Sequence, residues 1–292
     1  MKTRYQEIEN RADELRRWMD SNRAQAQDFM SKFEMSYIYH ENALDGIVVT
    51  GPELLSALGT MDEATDSSLV PIYREIRTHK AALDFVHAAV ADPKSRLSIE
   101  MIAQLHALLS PPPPPEEKPI KDEDLVAGEE SDCDENAESA VEPMVETTAS
   151  LSGPRYRKEQ PVHRSYFHEI AKPEDIPDRM EALIDETYQS DFKELHTIDQ
   201  ACTIHWTLMQ IFPFVEKTGK LARLLGNYIL MNRGYLPVII HAADRQRYYE
   251  SLRGSEESLR MLVVDAMINS LDNALQYFRG SRPVPQASHR HR

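Results

Sequence analysis

Phe212-Pro213-Phe214-Val215-Glu216-Lys217-Thr218-Gly219-Lys220-Leu221-Ala222-Arg223 is the stretch on which the fold of this 292-residue chain turns. Before it, Thr197-Ile198-Asp199-Gln200 has the pattern of a capping box, and a strongly apolar run leads from there to Phe212. Pro213 to Thr218 reads as a loop. A second helix is predicted from Gly219 to Arg233, with Gly234 at its C′ position. Trp206, Leu208, Met209, Leu221, Leu224, Leu225 and Ile229 fall where core residues belong. Lys217, Lys220 and Arg223 place three cations at the start of the second helix. The free N–H groups of such a terminus make a ready anion site.

Helical periodicity extends outward in both directions. Ile8, Leu15, Trp18 and Met19, then Phe29, Phe33 and Ile38, predict a long helix over residues 5–40, broken at most once. Thr50-Gly51-Pro52-Glu53 is a second capping-box pattern, with a short helix to Gly59. Leu69 to Ala91 and Ser98 to Leu109 read as helices, the latter capped by Ser98. Arg155 to Phe167 alternates as a short hairpin does, and Pro173 to Leu195 reads as one helix. Arg245 to Leu252 and Glu256 to Phe278 complete an all-α pattern.

Residues 111–152 differ from the rest. Five prolines, Pro111 to Pro115, predict polyproline II. From Pro111 to Ser152 there are 13 acidic residues and two lysines, a local charge of −11 that leaves −4 of the total −15 for the remaining chain. With almost no aromatics the segment cannot bury enough apolar area to offset its ordering entropy, and it reads as disordered. It suits a tolerated surface insertion, or a docking tail for a basic partner. The expected organisation is therefore a helical part (1–110), this insertion (111–152), a core (153–280) and a polar tail (281–292). No basic patch marks a nucleic-acid surface. No apolar run suits a membrane span, and the N-terminus has no signal-type apolar region. Cys133 and Cys202 do not make a disulfide framework. A soluble cytoplasmic protein is expected.

The opening stretch resembles the signature of the Fic (Fido) family, H-P-F-x-[D/E]-G-N-G-R-x-x-R. Pro213, Phe214, Glu216, Gly219 and Arg223 match, and Lys220 is a conservative change at the first arginine slot. The histidine slot holds Phe212, and the glycine and asparagine slots hold Lys217 and Thr218. The neighbours extend the likeness. Leu224-Leu225-Gly226-Asn227-Tyr228 and Gly234-Tyr235-Leu236-Pro237 resemble the family's residues just C-terminal to the motif, and His205 sits at a familiar helix position. Glu75-Ile76-Arg77-Thr78-His79 resembles a family helix, and Pro154-Arg155-Tyr156-Arg157 the arm before the family's flap. Tyr39 to Gly46 is similar to the family's inhibitory motif, with Asp45 at the glutamate slot and Glu41 at the Ser/Thr slot.

The resemblance implies roles. The family's signature histidine is the general base that deprotonates a target hydroxyl; Phe212 has no proton acceptor, so no catalytic residue is assigned. His205 reads as a core histidine, and His163 and His168 as flap residues. Glu216 takes the slot that holds magnesium, while an acid there also suits a helix N-terminus. Lys217, Thr218, Gly219, Lys220 and Arg223 take the nucleotide-phosphate positions. Lys217 and Thr218 are expected to avoid positive φ and so reshape the cradle. Asp45 is expected beside Arg223, and Glu41, one turn away, against Lys220 or Lys217. The implied protein is an impaired Fic-like pseudoenzyme that binds a protein partner, with weak affinity for ATP and magnesium. The rival reading is an active protein adenylyltransferase of non-standard chemistry.

Overall fold

The structure, a computed structural model, describes residues 1–59, 67–111, 154–161 and 170–280. The insertion beyond Pro111, its expected disorder included, and the tail from Ser281 lie outside these residues. Residues 1–111 and the chain from Pro154 onward form one compact unit. A single apolar cluster runs through both, from Ile8 to Phe278.

Among the described residues there are α-helices and short 3-10 turns and no strand. The helices are α1 (Lys2–Ser21), α2 (Arg23–Leu44), α3 (Gly51–Leu58), α4 (Val70–Ala91), α5 (Ile99–Leu109), α6 (Ile176–Tyr188), α7 (Ser190–Glu194), α8 (Thr197–Ile211), α9 (Thr218–Met231), α10 (Arg245–Gly254) and α11 (Glu256–Gly280). The helix expected over residues 5–40 is two. Asn22 ends the first and caps the second, its Oδ1 accepting from the Gln25 N–H at 3.1 Å. The box at Thr50 forms as expected, with Glu53 answering the Thr50 N–H, and Ser98 caps α5.

Two local readings are corrected, and a third lies largely outside the described residues. The box at Thr197 does not form. His196 caps α8 instead, its Nδ1 accepting from the Ile198 N–H at 3.2 Å. Its ring is stacked on Tyr5 and its Nε2 is paired with Glu9, so tertiary contacts hold the acceptor one residue early. The helix expected over 173–195 starts with a 3-10 turn and breaks at Gln189. There Tyr188 donates to the Leu97 carbonyl, and Lys193 donates to the Tyr188 carbonyl. Of the hairpin expected over 155–167, residues 154–161 carry no strand and residues 162–169 lie outside the described set.

Helix α9 is the hub. It packs along α8, and α4 and α5 also lie against it. Gly226 faces Ala201 and His205 of α8, where an added Cβ would lie 3.4 Å from the Ala201 carbonyl oxygen, so the two backbones come close. Helix α1 lies on α11, which also meets α8 and α10. Ile8, Ala12 and Leu15 are the buried stripe of α1. Each large aliphatic buried this way contributes about 1.5–3 kcal/mol. Helix α9 is buried around nearly its whole circumference, and that includes Lys220 and Arg223. Buried charges are rare unless paired, so the position of α9 depends on what its neighbours offer.

Candidate functional site

The turn between α8 and α9 is bracketed by two left-handed residues, Phe212 (φ 48°) and Lys217 (φ 64°). Glycine or asparagine usually takes that conformation, which costs a residue with a Cβ about 1–2 kcal/mol. Hydrogen bonds from within α8 and from Arg157 hold Phe212. The Phe212 N–H donates to the Leu208 carbonyl at 2.8 Å. Buried Arg157 donates from Nε to the Phe212 carbonyl at 2.7 Å, and its Nη2 reaches the Ala171 and Ile211 carbonyls. The Arg157 N–H bonds the Pro213 carbonyl at 2.9 Å. Inside the turn, Phe214 is buried and stacks on His106 at 3.7 Å, while Thr218 Oγ1 donates to the Phe214 carbonyl at 3.1 Å.

The expected reshaping of the cradle is half overturned. Thr218 enters the helix, but Lys217 does adopt positive φ. Its ammonium is tied to Glu75 Oε2 at 2.5 Å, a tertiary contact that fixes the residue in spite of the steric cost.

The three cations meet carboxylates from two other helices. Asp45, at the end of α2, lies 3.1 Å from Arg223 Nη2, the pairing expected from the sequence. Glu41 was expected against Lys220 or Lys217 and is instead 2.6 Å from Arg223 Nε. Residues four apart share a helix face, so both acids of α2 grip the two edges of one guanidinium. The lysines are met from α4. Glu75 Oε1 lies 2.7 Å from Lys220 Nζ, and its other oxygen holds Lys217. Lys220, fully buried, also donates to Asn42 Oδ1 at 2.9 Å. In the sequence Glu75 stands out only as part of a helix pattern. The available signal was an acid one turn before His79 on a helix face that is otherwise apolar.

Electrostatics follow from this packing. Burial alone would push the Asp45 carboxyl up, but the Arg223 and Lys220 charges outweigh it and hold it below the ordinary range. Glu75 is likewise held low, burial being outweighed by the Lys220 charge and the bond from Lys217. Glu41 goes the other way: its burial is complete enough that the carboxyl is raised despite Arg223. Burial pushes His205 down to about 3, so this imidazole is neutral. It lies 3.0 Å from Tyr248 Oη, which in turn accepts from Arg223 Nη1 at 3.3 Å. His205 is thus the core histidine expected. The His163 and His168 positions lie outside the described residues.

What remains open is a cleft of about 280 Å³ lined in part by Asp45, Met209, Phe212, Val215, Glu216 and Tyr248. Phe212 offers it no proton acceptor. Val215 is 70% exposed, and Glu216, also exposed, has no ion-pair partner among the described residues. Among the described residues Glu216 belongs to no group of three metal-donor side chains. Among the described residues the one metal-type cluster is Glu34, Asp84 and His87, whose two carboxylates Lys80 already bridges. No helix among the described residues is long and apolar enough to cross a membrane.

Comparison with known proteins places this geometry. A sequence profile described as the Fic/DOC family matches residues 96–230. A protein adenylyltransferase Fic of Nematostella vectensis is 28% identical over 216 residues, 74% of this chain and 42% of that protein. Another of the same name from Drosophila erecta is 24% identical over 254 residues, 87% of this chain and 43% of that protein. The chain therefore spans about two fifths of the length of these relatives. Among solved structures, a Fic protein of C. elegans superposes with a TM-score of 0.68 at 18% identity, covering 94% of this chain and 71% of that one. A Fic-domain signaling protein of Bacteroides thetaiotaomicron gives 0.67 at 20% identity, covering 92% of this chain and 97% of that one.

Proposed function

Because this chain belongs to the Fic (Fido) family, we propose that it is a pseudoenzyme of that family, acting by binding a protein partner rather than by transferring nucleotide. The observation that carries this reading is Phe212, a buried apolar ring at the position of the family's base. Loss of a positioned general base typically costs about 10²–10⁴ in rate. His205 does not compensate, since it is sealed in the core and bonded to Tyr248.

Family membership implies ATP with a divalent metal. The residues present do not suit them. Phosphate would need Lys220 and Arg223, yet Lys220 is fully buried and bonded to Glu75 and Asn42. The three cations Lys217, Lys220 and Arg223 face Glu41, Asp45 and Glu75, and Glu216 adds a fourth negative charge. Anion affinity at the α9 terminus is thereby offset from within the fold. Weak nucleotide affinity is the most this arrangement supports.

The test is incubation of the full chain with labelled ATP, magnesium and cell lysate, beside an active family member. No label on protein is the expected result. Label on a protein hydroxyl would overturn the proposal in favour of a transferase of non-standard chemistry.

A further inference from the structure

We propose that Glu75 is the resident anion of the two-lysine site at the start of α9, so that phosphate enters only where that carboxylate is released. The inference deepens the reading above and rests on it, since it takes the turn before α9 as a phosphate cradle out of use.

The geometry is that of a bound ligand. One carboxylate spans two ammonium groups, Oε2 at 2.5 Å from Lys217 Nζ and Oε1 at 2.7 Å from Lys220 Nζ. Two oxygens of a phosphate would bridge two lysines in the same manner, with charge-assisted bonds of the same length. The three side chains are well covered, at 15%, 22% and 0% exposure for Glu75, Lys217 and Lys220. Water therefore competes little for the contact.

This contact is separate from the pairing of α2 with Arg223. Arg223 has two acids, so losing either leaves one in place. The lysines share one close acid. The next, Asp45, is 3.6 Å from Lys220 and already engaged by Arg223. Helix α4 holds no reserve. One turn beyond Glu75, His79 is fully buried with its Nε2 unpartnered and its Nδ1 3.4 Å from Asn42 Nδ2. Burial, and then the charges of Lys220, Arg223 and Lys217, keep that imidazole neutral. Without Glu75 the two lysines would keep only the more distant Asp45, shared with Arg223, and the excess positive charge would stand at a helix N-terminus, the setting in which anions bind.

Calorimetric titration of the full chain with inorganic pyrophosphate tests this. The unaltered chain is expected to bind weakly, and Glu75→Gln to bind about tenfold more tightly or better. Glu75→Gln with Lys217→Met is expected to lose that gain. If Glu75→Gln does not fold, Glu75→Asp serves. It keeps the charge but is too short to span both lysines, and a smaller gain of the same sign is expected. Unchanged affinity in a folded variant, a gain that survives Lys217→Met, or tight binding by the unaltered chain overturns the inference. Labelled ATP separates this from the reading beneath it. Glu75→Gln is expected to transfer no label, since Phe212 remains. Label appearing there would sink the pseudoenzyme proposal and leave the Glu75 contact standing.

Discussion

Asp45 Oδ1 and Arg223 Nη2 meet at 3.1 Å across 178 residues of chain, and Glu41 closes on the Nε edge of the same guanidinium. The last turn of α2 is a two-pronged grip on α9. Tyr248 Oη takes a further donor of the guanidinium. Arg223 is held from three sides, and this bears directly on what substitutions do.

Asp45→Ala is expected to cost about 1.5–3 kcal/mol, the range for a bond to a charged group. The midpoint of a urea transition at constant m-value measures it. ATP affinity is expected to stay unchanged, because Glu41 still holds Arg223. A tenfold tightening by calorimetry would show that Asp45 alone closes the site.

Acid sensitivity should divide by carboxylate. Asp45 and Glu75 sit below the ordinary range when folded. Their contribution is present above the unfolded-state values, about 4, and is lost as pH falls through the folded-state values. Glu41 is raised, so its charged form costs stability as pH climbs through the interval above its unfolded value. Asp45→Asn should therefore flatten the acid limb of a midpoint-versus-pH curve, and Glu41→Gln should steepen it. The opposite pattern would reverse the assignment.

Phe212→His alone is expected to leave transfer of labelled ATP undetectable. The base would return, but Lys220 and Arg223 would still be bonded to Glu75, Glu41 and Asp45. Groups that act as one unit are strongly non-additive. Robust labelling by the single variant would mean that the internal carboxylates yield readily to phosphate.

Arg157→Ala should destabilise by about 2–4 kcal/mol, through loss of its buried bonds to the Phe212, Ala171 and Ile211 carbonyls. At this chain length each kcal/mol lowers Tm by about 2–4 °C. Arg157→Lys should recover only part of the loss, because an ammonium lacks the planar fork that reaches Phe212, Ala171 and Ile211 together. Full recovery by lysine would show that charge, not the fork, matters.

Most of the helical layout could be read from periodicity and caps, as Thr50 and Ser98 illustrate. The misses share a cause. His196 displaced Thr197 as a cap because Tyr5 and Glu9, nearly 200 residues away, fix its ring. Lys217 kept positive φ because Glu75, 142 residues away, holds its ammonium. Local pattern reports local preference, and in both places a long-range contact overrode it. At the site, Asp45 was traceable to Arg223 because each lies in a recognisable motif. The role of Glu75 was hidden because one acid on an amphipathic helix looks like any solvated side chain until α9 is placed against it.

The acids that reach α9 come from residues 41 to 75, and the cations they meet from 217 to 223. The cleft floor therefore cannot mature until the first and last thirds of the chain have come together. Such closures over long sequence separation carry a loop entropy that local helices do not. During synthesis α9 emerges with its charges bare, so α2 and α4 must stay close by, their acids uncommitted, until it arrives. A separately produced C-terminal piece would inherit three cations, Lys220 and Arg223 buried among them, without the carboxylates of α2 and α4, so the signature segment and the N-terminal helices are one cooperative unit of assembly.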